Sequence, residues 1–169
     1  EAEMGGEERA ATMLDVQYRM HRDICAWASH EMYGGKLKAD PSVADHQLHQ
    51  LEHVKERNEL TSTPLLLIDT TGCDMPEGSV EGGGSSHNEG EAAVVAEHVR
   101  RLLGAGLRPE DVAVITPYNG QVDALKRRLR DDYPTIEIRS VDGFQGGERE
   151  AVVLSLVRSN PRGTVGFLA

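Results

Sequence analysis

Apolar positions along this chain recur in two rhythms. Short runs rich in aliphatic residues at 65–68, 112–116, 136–141 and 151–157 carry the signature of strands buried in a parallel sheet. Between them the spacing changes to three and four. Ala92, Val95, Val99, Leu102 and Leu103 lie on one helical face, and so do Val122, Leu125 and Leu129, which predicts amphipathic helices over 91–103 and 120–132. Upstream, Ile24, Trp27, Ala28 and Met32 place a third helix over 21–33 that Gly34 and Gly35 terminate. Met13 to Gln17 reads as an edge strand or an extended approach to that helix. Strand, helix, strand, helix, strand predicts a parallel sheet covered by helices, with 65–68 as one of its buried strands.

The punctuation between these elements is equally legible. Residues 1–12 are polar and read as a linker or cut end, and 13–169 as one domain. Within it 74–90, rich in Gly, Ser and Glu, reads as a flexible insertion. Asn88 followed three residues later by Glu91 has the spacing of a capping box. Pro41 opens at most a short helix, and Leu48, Leu51 and Val54 form a modest apolar stripe. Between the runs at 136–141 and 151–157 the chain has only a polar loop, too short for a crossover helix. Chemistry in open α/β sheets gathers where strands end and loops begin, so this loop is the first place to look.

Composition narrows the function classes. The chain has 169 residues, 38% hydrophobic but only 4% aromatic, enough for one aliphatic core. No apolar run has the length of a membrane span, and the acidic start is unlike a signal peptide. Cys25 and Cys73 match neither a metal nor a disulfide pattern, which points to a reducing, cytoplasmic or nuclear setting. His46, His49 and His53 share a helical spacing, but no Cys or carboxylate cluster completes a ligand set, so they read as solvated histidines and no metal is assigned. The net charge of −10 is uneven: residues 1–90 hold 7 Lys and Arg against 17 Asp and Glu, and 91–169 hold 11 of each. Any polyanion contact belongs to the second half and is local.

Three constellations carry candidate chemistry. In Gln17-Tyr-Arg-Met-His21 a flat ring adjoins a guanidinium just before a helix; a ring can stack on a nucleobase and the fork can pair with phosphate oxygens. On residues alone the preferred reading is a core Tyr18 and an Arg19 paired with Asp15 or Asp23. Thr116-Pro-Tyr-Asn119 ends a strand and starts a helix, where unpaired amides favour phosphate, with a simple N-cap by Asn119 as the plainer reading. In the loop, Gly143 and Gly146 allow close backbone approach while Gln145 and Glu148 supply polar groups. Lys126, Arg127, Arg128 and Arg130 decorate one helix as a polyanion patch or as a solvated face. No Gly-Lys-Ser/Thr phosphate loop occurs anywhere in the chain.

Val141-Asp-Gly-Phe-Gln-Gly146, Glu148 and Val153-Leu-Ser-Leu-Val-Arg-Ser-Asn160 together resemble motif V and its continuation in superfamily 1B helicases of the nonsense-mediated-decay type. The motif Val16-Gln-Tyr-Arg-Met-His21 falls in the matching order. The ending Val165-Gly-Phe-Leu-Ala169 is most similar to the immunoglobulin mu-binding protein 2 subgroup. The resemblance implies an α/β RecA-like parallel sheet with helices on both faces, of the P-loop NTPase superfamily, and specifically a second motor domain without its own P-loop. It implies Tyr18 on the adenine, Arg19 as a catalytic arginine finger on the γ-phosphate, and Gln145, Gly146 and Glu148 toward the nucleotide. It places Thr116, Asn119, Ser140, Val141 and Asp142 along the nucleic acid. ATP with Mg2+ would be held mainly by a first RecA-like domain of the same parent chain, and the partner would be single-stranded RNA or DNA, with no membrane. Gly147 departs from the pattern, standing where the resemblance implies Arg or Lys.

Motif VI is missing as well, so the expectation is a piece of an ATP-dependent 5′-to-3′ helicase that is inactive alone. Gly147 and the acidic first half motivate a rival, a non-catalytic RecA-like scaffold or regulatory module.

Overall fold

The computed structural model describes residues 12–79 and 85–166. The expected linker at 1–12 and the last three residues of the chain therefore lie almost entirely outside the described residues. The chain divides into two compact units, residues 1–46 and 47–169.

In the first unit, β1 (Val16–Gln17) pairs in parallel with β2 (Lys38–Ala39), and α1 (Arg22–Tyr33) connects them. His21 caps α1, its Nδ1 accepting the Asp23 N–H, and Gly34 ends it in the left-handed region. The helix stands where the periodicity puts it, but the buried face is Cys25 and Ser29, while Ile24, Trp27 and Met32 are exposed. Ser29 Oγ donates to the Leu37 carbonyl at 2.7 Å, so the returning chain covers the small-residue side. Periodicity finds a helix's apolar stripe and says nothing about which side the returning segment ties down.

The second unit is built on a three-stranded parallel sheet. After α2 (Glu59–Ser62), β3 (Gly78–Ser79) pairs antiparallel with β4 (Ser86–His87) inside the segment expected as a flexible insertion at 74–90; residues 80–84 lie outside the described residues. Then come α3 (Glu89–Gly104), β5 (Val112–Thr116), α4 (Asn119–Leu129), β6 (Glu137–Ser140) and β7 (Ala151–Leu154). The order is β6-β5-β7, with β5 in the centre. Every residue of β5 is buried, as its unbroken apolar run requires, and Val112 and Val114 face a core filled by Ala92, Val95, Val99 and Leu102 of α3 and Val122, Leu125 and Leu129 of α4.

The run at 65–68 forms no strand and all four side chains are exposed. An apolar run becomes a buried strand only where another strand pairs with it, and 65–68 has no ladder partner among the described residues. The motif loop differs from a simple turn in the same way: β6 and β7 lie on opposite sides of β5, so 141–150 passes the end of the central strand.

A buried carboxylate ties the segment before α2 to the sheet. Asp111 accepts the Arg108 N–H at 2.8 Å and the Arg108 guanidinium at 3.0 and 3.2 Å, and its Oδ2 lies 2.6 Å from His53 Nε2. His53 is thus a hydrogen-bond partner of a buried carboxylate rather than a solvated side chain. Burial pushes the Asp111 carboxyl up, but the Arg108 guanidinium, the Arg108 backbone N–H and His53 outweigh it and hold the carboxyl below the usual carboxylate value. A depressed folded value stabilises the fold above the unfolded value near about 4, and that stability is lost as pH falls through the folded one. Asp111→Asn should flatten the acid side of the plot of urea midpoint against pH; an unchanged acid slope would show that the pair contributes nothing.

Candidate functional site

The carboxyl ends of β5 and β6 bring four of the expected residues together. Thr116 and Ser140 are register partners, and the Val141 N–H donates to the Thr116 carbonyl at 3.2 Å. Ser140 Oγ accepts the Gly143 N–H at 3.2 Å, drawing Asp142 into a single 3-10 turn, Asp142–Phe144. Val141 and Asp142 are exposed, whereas the Thr116 side chain is fully buried. Asn119 is exposed and is the first residue of α4; the N-cap is Tyr118, whose side chain makes no capping bond. The plainer reading of Asn119 as an N-cap is therefore a misplacement by one residue.

The loop then turns toward β7. Gln145 ends the 3-10 turn, and Gly146 at φ +81° takes a backbone conformation that a side chain would strain. Gln145, Gly146 and Glu148 are all exposed on this one turn. At Gly147 an added Cβ would lie 2.9 Å from the Phe144 ring and 3.0 Å from its carbonyl oxygen. The half-buried Phe144 ring therefore occupies the space beside the position where the resemblance implies a cation. The nearest cation in sequence is itself engaged: Arg149 pairs with Glu137 on β6 at 2.6 Å, and Arg139 approaches the same carboxylate at 3.5 Å.

The basic face of α4 is also partly neutralised. Arg127 and Arg128 reach across to the Glu89 carboxylate at the start of α3, at 2.8 and 2.7 Å, and Arg128 holds the Glu89 carboxyl below its ordinary value, with a smaller contribution from Arg127. That pattern fits the solvated-face reading of this helix more than a polyanion patch.

Tyr18 and Arg19 stand in the first unit on a bend after β1. Gln17 knots that bend: its Oε1 accepts the Arg19 and Met20 N–H groups at 2.8 and 2.7 Å, and its Nε2 donates to the Met20 carbonyl at 2.7 Å. The Tyr18 ring is 68% exposed, which removes the core reading of this residue. Gln17 shapes the backbone of the aromatic–guanidinium pair, and its place immediately before that pair is the sequence signal for this role.

Sequence reasoning missed the polar network beneath the loop ends. Asn88 caps α3 by accepting the Glu91 N–H at 2.9 Å, but the reciprocal half of the capping box is absent. The Asn88 N–H goes instead to Gln121 Oε1, and the Glu91 carboxylate accepts from Ser155 Oγ at 2.8 Å and from the Val157 N–H at 2.9 Å. Beyond it Arg158 donates to Glu77 and to the Tyr118 hydroxyl. Among the described residues no group of three His, Cys, Asp or Glu could hold a metal, and no helix is long and apolar enough to cross a membrane.

Set beside known proteins, residues 2–169 match the AAA domain family. The chain is 54% identical over 160 residues to the DNA-binding protein SMUBP-2 of Mesocricetus auratus, covering 95% of this chain and 16% of that protein. It is 44% identical over 163 residues to the DNA polymerase alpha-associated DNA helicase A of Saccharomyces cerevisiae, covering 92% and 24%. With the regulator of nonsense transcripts 1 homolog of Drosophila melanogaster it shares 37% over 162 residues, covering 92% and 13%. The matched region is thus at most about a quarter of the length of these curated relatives.

Proposed function

The chain belongs to the superfamily 1B helicases of the immunoglobulin mu-binding protein 2 and nonsense-mediated-decay type, with the α/β RecA-like fold of the P-loop NTPases, and on that premise we propose that it is the second motor domain of an ATP-dependent 5′-to-3′ helicase acting on single-stranded RNA or DNA. The observation that carries this reading is the exposed Tyr18–Arg19 pair on a bend fixed by Gln17, in a chain whose sequence contains no phosphate loop of its own. An exposed ring beside an exposed guanidinium suits a nucleotide whose phosphates are cradled elsewhere.

ATP with Mg2+, held mainly by the first RecA-like domain of the same parent protein, supplies the phosphoryl group that passes to water. Tyr18 stacks on the adenine and Arg19 offsets the negative charge that develops on the γ-phosphate. Gln145, Gly146 and Glu148 border the nucleotide, where the glycine's missing side chain leaves room for close backbone approach. Along the single strand, Asn119, Ser140, Val141 and Asp142 form the accessible rim, and Thr116 supports it from beneath through its carbonyl bond to the Val141 N–H. Contacts of this kind position a strand without reading its sequence.

The test is made on the full-length protein: single-strand-stimulated ATP turnover, and unwinding of duplexes bearing a 5′ or a 3′ overhang. Stimulated turnover with preference for the 5′ overhang supports the motor; absence of turnover supports the rival scaffold reading, which the Phe144 ring beside Gly147 favours. The chain by itself should hydrolyse no ATP and bind single strands weakly. If three phosphates are contacted, the logarithm of the binding constant should fall with the logarithm of salt at a slope of about −2. A much steeper slope would mean that Lys126 and its neighbours on α4 form a polyanion site and that the strand runs elsewhere.

A further inference from the structure

The end of β7 holds a backbone conformation that its sequence does not favour. The Arg158 N–H donates to the Leu156 carbonyl at 2.9 Å, closing a three-residue turn centred on Val157 at φ +75°. A γ-turn with positive φ is rare and strained, and a β-branched residue is among the poorest choices for it. Val157 is nevertheless fully buried and held from both sides: its N–H donates to Glu91 and its carbonyl accepts from Asn88 Nδ2 at 3.2 Å. Strain persists where the surroundings over-determine it, and such sites gather near function.

What the turn accomplishes is to redirect Arg158. The guanidinium lies over the Tyr118 ring, 6.0 Å from its centroid, and its Nη1 donates to the Tyr118 hydroxyl at 3.3 Å. Its Nε donates to Glu77 at 2.7 Å and its Nη2 to Thr164 Oγ1 at 3.2 Å. Glu77 also accepts from the Ser159 N–H and from Asn160 Nδ2. Each nitrogen of the fork is thus hydrogen-bonded and the side chain is mostly buried, which makes it a poorer phosphate ligand than a brace. Tyr118 sits between Thr116 and Asn119, in the loop that carries the proposed strand contacts.

We propose that Arg158 is a positioning residue for nucleic-acid binding: the strained turn at Val157 sets its guanidinium against Tyr118 and thereby fixes the Thr116–Asn119 loop in the conformation that meets the single strand. The inference rests on the helicase reading above. It assigns to the Val-Arg-Ser-Asn stretch a role separate from the nucleotide and from direct contact with the strand.

The experiment uses the full-length protein with a single-stranded oligonucleotide, comparing wild type, Arg158→Ala, Arg158→Lys, Tyr118→Phe and the Arg158→Ala/Tyr118→Phe double variant. Arg158→Ala should weaken single-strand affinity about tenfold and raise the strand concentration giving half-maximal ATP turnover by the same factor. Turnover without strand and the KM for ATP should be unchanged. Arg158→Lys keeps the charge opposite Glu77 but loses the fork, so it should recover only part of the affinity. Tyr118→Phe removes a single hydroxyl from a retained ring and should weaken binding a few-fold, and the double variant should be no weaker than Arg158→Ala, because both changes break one coupling. Should Arg158→Ala fail to fold, Tyr118→Phe decides: an unaltered strand affinity in that variant overturns the proposal. So does an Arg158→Ala protein that binds strand as wild type does, or one in which strand-free turnover falls as much as affinity. A wild type without strand-stimulated turnover instead removes the helicase reading on which the inference rests.

Discussion

Replacing Arg19 by alanine in the full-length protein should lower ATP turnover by about a thousandfold while leaving single-strand affinity within about twofold, the scale on which an arginine finger acts in phosphoryl transfer. The separation follows from how the bend is built. The backbone at 19 and 20 is held by the Gln17 side chain, which makes three hydrogen bonds there, so truncating Arg19 leaves the bend and the neighbouring Tyr18 in place. Arg19→Lys should recover little, since an ammonium cannot reproduce the bidentate fork. Steady-state turnover at saturating ATP, with strand binding measured by fluorescence anisotropy, checks both halves. Wild-type turnover in Arg19→Ala would falsify the finger assignment, and equal losses of turnover and strand affinity would mean that Arg19 organises the fold instead.

The second large effect is on stability. Asn88→Ala should destabilise the fold by about 3 kcal/mol: about 1 for the lost cap of α3 and the rest for buried carbonyls left without donors. Asn88 is 2% exposed, its Oδ1 accepts the Glu91 N–H, and its Nδ2 donates to the carbonyls of Met75 and Val157 at 2.8 and 3.2 Å. Its own N–H is held by Gln121, which also reaches Ser155. One side chain therefore links α3, the segment before β3 and the strained turn after β7. Asn88→Asp keeps the cap acceptor but sets an oxygen of a buried carboxylate against the Met75 and Val157 carbonyls, so it should be at least as destabilising as alanine. Urea midpoints at neutral pH measure the series, and a loss below about 1 kcal/mol for alanine would reduce Asn88 to an ordinary helix cap.

The elements that the sequence determined by itself are those whose signal is local. The unbroken run of β5 requires burial on both faces, the spacing from Ala92 to Leu102 requires one apolar helix face, and Asn88 is legible as a cap because capping acts over three residues. The two motifs, and with them the family and the candidate residues Tyr18, Arg19, Gln145 and Glu148, are legible because their order and spacing survive as text. Tertiary structure alone decided whatever depended on a partner distant in the chain. The run at 65–68 has the composition of a strand yet stays exposed, because no strand among the described residues pairs with it. Glu91, spaced to complete a capping box, turns its carboxylate to Ser155 and Val157, more than sixty residues away. His53 finds Asp111, and Arg158 finds Glu77 and Tyr118. A periodicity or a spacing reports which groups a few residues apart can share, whereas a buried polar group takes whichever complementary group the packed elements bring within reach, and no local pattern records that choice.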